Sequence, residues 1–147
     1  MEQPGPHDRT IGIYLDMLGV VIEAHPDTIR RRRTYGFRLS SELEKMEGQS
    51  FELIDDGDNP IGIGLVGPAG LTIVSLDPES NIVTTRAYGH LTEAVLTKTG
   101  PIDDGDWNTS YRMTIEHDRL PRTLTHQAGN EELLDQAGEA FVQSLRA

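Results

Sequence analysis

Apolar residues recur along this chain with two different periods, and the switches between them mark out its elements. Over residues 8–24, Ile11, Leu15, Leu18 and Ile22 fall at i, i+4, i+7 and i+11, and Ile13, Met17, Val20 and Val21 widen the apolar arc. That spacing predicts a helix capped by Asp8, with an apolar surface broad enough to be covered on most sides or shared with a second copy. Gly12 and Gly19 weaken it, so a hairpin of residues 11–17 and 20–23 is the competing reading. Pro26 ends the element, because proline disfavours the helical region at the residue before it. Ile29, Tyr35, Phe37 and Leu39 then alternate with Arg30, Arg32, Thr34 and Arg38, the period of a first strand. Ser41 and Glu44 have capping-box spacing, which predicts a short helix carrying Leu43 and Met46 and stopped by Gly48.

The period of two dominates the centre of the chain. Strands are expected near 50–55, 60–66, 71–77, 81–88, 91–99 and 107–117, separated by turn signals. Asp56-Gly57 and Asp104-Gly105 supply the positive φ of a tight hairpin, Pro68-Ala69-Gly70 presets a turn, and Pro78 stands where a β-turn favours proline. In the last strand Tyr111, Met113 and Ile115 oppose Arg112, Thr114 and Glu116. After a polar connection, Asn130 caps a final helix with Glu131 and Glu132 at its positive dipole end. Leu133, Leu134, Ala137, Ala140, Phe141 and Leu145 form one apolar arc on it. The expected architecture is α+β: a curved antiparallel sheet of about six strands in a meander, with an N-terminal and a C-terminal amphipathic helix packed on it. The expectation is one domain over 1–147, with 1–7 as a mobile tail, since two prolines and a glycine there have nothing to bury.

Charge narrows the functional classes. A net charge of −11 disfavours nucleic acid, whose phosphates need a basic surface, and favours a basic protein partner. Acidity that serves solubility alone is the competing explanation. The lack of cysteine excludes disulfides and thiolate chemistry and agrees with a reducing compartment. With no secretory leader and no apolar run of membrane length, a cytoplasmic location away from membranes is expected.

The remaining motifs are weak. Gly62, Gly64 and Gly67 have the spacing of a dinucleotide fingerprint, but Pro60 precedes them and Pro68 and a β-branched run follow. A glycine-rich strand is expected, with no helix starting near Gly67 and no cofactor. Arg30 to Arg33 form the one basic run and are expected to pair with the domain's own carboxylates. The acidic turns 55–58 and 103–106 lack the alternation of a calcium loop, and no metal site is expected. Glu93 and Glu116 would become a general acid and its partner only if they met across a hairpin.

Two functions follow from these residues. The first is a non-catalytic acidic binding protein of the immunity-protein, inhibitor or secretion-chaperone type. It would present Asp55, Asp56, Asp58, Asp103, Asp104 and Asp106, with Trp107 as an aromatic anchor, to a basic partner. The second is a small-ligand binder or cofactor-free enzyme. Its pocket would lie between sheet and last helix, lined by Tyr35, Tyr88, Tyr111 and Phe141 with Glu93 and Glu116. A homodimer through the apolar N-terminal helix is compatible with either.

Overall fold

The computed structural model describes residues 5–20, 26–103 and 109–145. Helix α1 spans Asp8–Met17. Its N-cap, His7, is buried, and His7 Nδ1 shares a hydrogen bond of 2.7 Å with Ser50 Oγ. The expected mobile tail therefore does not reach His7. Asp8 accepts a hydrogen bond from the Gly5 amide (2.6 Å) instead of capping the helix. The helix also stops well short of residue 24. Gly19, at φ +81°, sends its N–H to Asp16 O, and the Val20 N–H returns to Leu15 O, both at 3.0 Å. This is the Schellman arrangement that satisfies the last carbonyls of a helix.

Helix α2, Pro26–Leu43, replaces the predicted strand over 29–39 and the short helix after it. Tyr35, Leu39 and Leu43 lie at i, i+4 and i+8 and are buried, whereas Phe37 is 75 % exposed. The apparent alternation thus counted a surface residue as core. Pro26 and Asp27 in the first turn and the run of arginines all suit a helix. Arg32 crosses to α1: its guanidinium donates to Asp16 Oδ1 (2.7 Å), to Val20 O and to Gly12 O (3.2 Å). Arg30, Arg31 and Arg33 face outward.

The sheet comprises β1 (Gln49–Ile54), β2 (Pro60–Gly67), β3 (Gly70–Asp77), β4 (Ile82–Gly89), β5 (Val95–Asp103), β6 (Thr109–Glu116) and β7 (Leu124–Ala128). Its order is β4-β3-β2-β1-β7-β6-β5, all antiparallel, curved and not closed. The α+β expectation holds, with two corrections. The sheet has seven strands, since the segment read as a polar connection contains β7. It is also two meanders, β1–β4 and β5–β7, joined side by side where β1 meets β7. Residues 91–94 precede β5, with Glu93 at φ +62°.

Helices cover both faces. On one face, α1 lies over β1 and β2 and α2 over β3 and β4, enclosing Ile63, Leu65, Val74 and Leu76. The Tyr14 hydroxyl accepts the Leu76 amide (2.9 Å), supplying that strand with a partner beyond the last β2–β3 pair at Val74. On the opposite face α3, Glu131–Ser144, packs across β1, β2, β3, β6 and β7. Phe141 sits among Phe51, Leu53, Leu71, Met113, Ile115 and Leu134 there. The Leu133 amide donates to Asn130 Oδ1 (2.8 Å), as the capping pattern predicts. The glycine run belongs to β2 and ends in the Gly67–Gly70 hairpin, so no helix begins there. Phe51 and Leu53 occupy the space that a side chain at Gly64 would need. Among the described residues no helix is long and apolar enough to cross a membrane.

Candidate functional site

The junction of the two meanders is incomplete. β1 has a partner residue on β2 at every position and β7 has one on β6 at every position, yet β1 and β7 pair only at Ile54 and Thr125. From that bridge they diverge, and side chains stand in for the missing ladder. Thr10 Oγ1 donates to Ser50 O (3.2 Å), and His126 Nδ1–H donates to Glu52 O (2.9 Å). Because a carbonyl oxygen only accepts, Nδ1 of His126 carries a hydrogen. The ring is buried and tilts at 59° against Phe51, with centroids 5.2 Å apart.

The divergence opens a cleft of about 850 Å³. Arg9, Thr10, Ile13 and Met17 of α1 wall it on one side of the sheet, and Leu133, Gln136 and Ala137 of α3 wall it on the other. Glu52, Asp58, Arg112 and Gln127 add polar groups. Arg112 pairs with Asp58 (3.2 Å) through Nη2, while its buried Nε has no hydrogen-bond partner. Ser50 and His7 bring a hydroxyl and an imidazole together, but no third group orients that ring among the hydrogen bonds described.

Helix α3 forms a ridge beside the cleft. Its outward residues include Glu131, Glu132, Asp135 and Glu139, all exposed, and the helix contains no basic residue. Lys98 reaches Asp135 (2.9 Å); Glu131, Glu132 and Glu139 have no basic partner among the described residues. A smaller hollow of about 370 Å³, lined by Leu96, Lys98, Glu139 and Val142 among others, borders the other flank of the ridge.

The residues singled out from sequence are dispersed. Asp55 turns inward: its Oδ1 accepts the Gly57 and Asn59 amides at 2.9 Å each, and Oδ2 lies 3.6 Å from Arg122. Asp56 is exposed, and Asp58, at φ +61°, reaches the cleft. Asp103 ends β5 opposite Thr109, while Asp104, Asp106 and Trp107 lie outside the described residues. Tyr35 is in the α1/α2 layer, its hydroxyl donating to Pro78 O (3.0 Å). Tyr88 and Tyr111 flank the core on the α3 side, and Phe141 is in its interior. The sheet therefore separates Tyr35 from the other three. Glu116 is exposed opposite Val95, and Glu93 lies in the turn before β5. Among the described residues no three potential metal ligands cluster.

Sequence reasoning missed Thr10, Ser50, His126, Gln127 and Gln136. For His126 a signal existed, the alternation Leu124, His126, Ala128, all buried. Its weakness was that histidine and alanine count little toward an apolar pattern.

The Asp55 carboxyl is held below its ordinary range, chiefly by the Asn59 amide, then by the Asn59 side chain, the Gly57 amide and Arg122. A depressed folded-state pKa contributes stability above the unfolded pKa and loses it as pH falls through the folded value. Asp55→Asn should therefore flatten the acid limb of a plot of denaturant midpoint against pH. An unchanged limb would show that the turn does not depend on the ionised group.

No protein-family model matches the chain, and no curated protein or solved structure matches it significantly.

Proposed function

We propose that this chain is a non-catalytic acidic binding protein that engages a basic polypeptide partner, in the manner of an inhibitor, an immunity protein or a secretion chaperone. The observation that carries the reading is the α3 ridge: three exposed carboxylates with no ion-pair partner among the described residues, on a helix without a basic residue. Such a row attracts an oppositely charged partner over about a Debye length and fixes its orientation. The acidic turn at 55–58 contributes less than its composition suggests, because Asp55 is turned toward Arg122 and Asp58 toward Arg112.

The test is to isolate the partner with the wild type. Its association rate is then measured over a salt series with the wild type and with Glu131→Gln/Glu132→Gln/Glu139→Gln. The expected result is a roughly tenfold slower association for the variant at low salt and a shallower salt dependence. Equal rates and slopes, or recovery of only acidic or non-protein material, would sink the reading.

One observation favours a second reading, a small-ligand binder or cofactor-free enzyme. The cleft, at about 850 Å³, is within the size range of small-molecule sites and contains the Ser50 hydroxyl bonded to His7.

A further inference from the structure

We infer that the cleft between β1 and β7 takes the partner as an added β-strand: an extended basic segment whose main chain pairs with the edges the two strands leave open. The inference rests on the reading of a basic polypeptide partner and adds the place and form of its binding.

Alternation along a strand directs the backbone groups of successive residues to opposite edges. The Glu52 carbonyl accepts from His126 of β7 and the Ser50 carbonyl from Thr10, so these alternate residues of β1 turn their backbone groups toward the gap, and Gln127 stands two positions beyond the bridged Thr125 on β7. The carbonyls of Ser50 and Glu52 are taken by Thr10 and His126, whereas the ladder between the two strands supplies no partner for the Ser50, Glu52 and Gln127 amides. An incoming strand supplies carbonyls to these donors. Because the cleft opens on both sides of the sheet, its successive side chains enter different environments. One set meets Ile13 and Met17 of α1, the other Leu133 and Ala137 of α3. Strand addition has this division of labour, main-chain bonds for affinity and alternate pockets for selectivity.

Charge selects the occupant. Arg112 and Asp58 neutralise each other at 3.2 Å, which leaves one cation, Arg9, and one anion, Glu52, among the lining charges. The α3 carboxylates beside the cleft, Glu132 lying one turn before Gln136, then tip the balance negative. A segment that alternates aliphatic and basic residues satisfies both the pockets and the field.

The probe is an acetylated and amidated heptapeptide of alternating lysine and valine. It is titrated into isotope-labelled protein beside two controls: the same peptide with its central amides N-methylated, and a glutamate–valine counterpart. Amide exchange at Ser50, Glu52 and Gln127 should slow by at least ~10-fold in the complex, since each amide gains a hydrogen bond. N-methylation should weaken binding by ~10-fold or more, on the scale of a lost backbone hydrogen bond. Met17→Trp, which fills one pocket and leaves the backbone alone, should weaken it similarly, whereas Gln127→Pro removes a single donor. Binding indifferent to N-methylation, or a footprint confined to α3, overturns strand addition while leaving the basic-partner reading intact. Preference for the glutamate peptide contradicts both. Failure of every peptide to bind at millimolar concentration overturns strand addition.

Discussion

Phe141→Ala should destabilise the protein by about 3–5 kcal/mol, the usual cost of removing a buried phenylalanine and leaving a cavity. Phe141 is fully buried and packs in the core that joins α3 to both meanders. The surrounding groups come from separate strands, so the site has little freedom to collapse around an alanine. A loss of this size is a large share of the about 5–15 kcal/mol available to a domain. The measurement is equilibrium denaturation followed by far-ultraviolet circular dichroism. A midpoint that barely moves would mean that α3 does not fasten the two halves together.

Gly70→Ala should cost about 2–5 kcal/mol, the sum of a left-handed backbone for a residue with a Cβ and a steric overlap. Gly70 has φ +93°, and a Cβ built there would overlap the backbone of Gly89 and His90. Neither can retreat easily, because Leu71 pairs with Gly89 at that end of the β3–β4 ladder. The variant should denature at lower denaturant, while Gly89→Ala, which meets nothing within 4 Å, should show only the backbone part of the loss. Equal losses for the two would show that the close approach at Gly70 has no energetic weight.

Much of the fold was legible wherever one period ran for several residues without interruption. Tyr111, Met113 and Ile115 fall on one face of β6, and the apolar arc of α3 ends up against the sheet, as their spacing implies. The segment from Ile29 to Leu39 misled because its apolar residues fit period two on four positions and period 3.6 on fewer. The evidence against the strand, an exposed Phe37, exists only in three dimensions. β7 went unseen because a five-residue strand of threonine, histidine and glutamine between two hydrophobic ends carries little apolar signal. The cleft could not be read at all. It arises from the angle at which two distant strands meet, and the His126–Glu52 hydrogen bond that bridges them joins residues 74 positions apart. Acidity was legible as a total but not as a distribution, since Asp55 and Asp58 face arginines while Glu131, Glu132 and Glu139 of α3 are exposed without an ion-pair partner among the described residues.

The placement of helices on both faces of the sheet has an electrical consequence. Arg30, Arg31 and Arg33 stand exposed on the α2 side, and Glu131, Glu132, Asp135 and Glu139 on the α3 side, with the sheet between them. The α2 side mixes these arginines with Asp27, Glu44 and Glu47, whereas helix α3 carries carboxylates and no basic residue, so the two faces differ in charge. In the field of a positive surface, net charge draws the protein in and the difference between the faces favours approach with the α3 side forward. Orientation thus begins at distances where no side chain touches, within the screening length of about 8 Å at physiological salt.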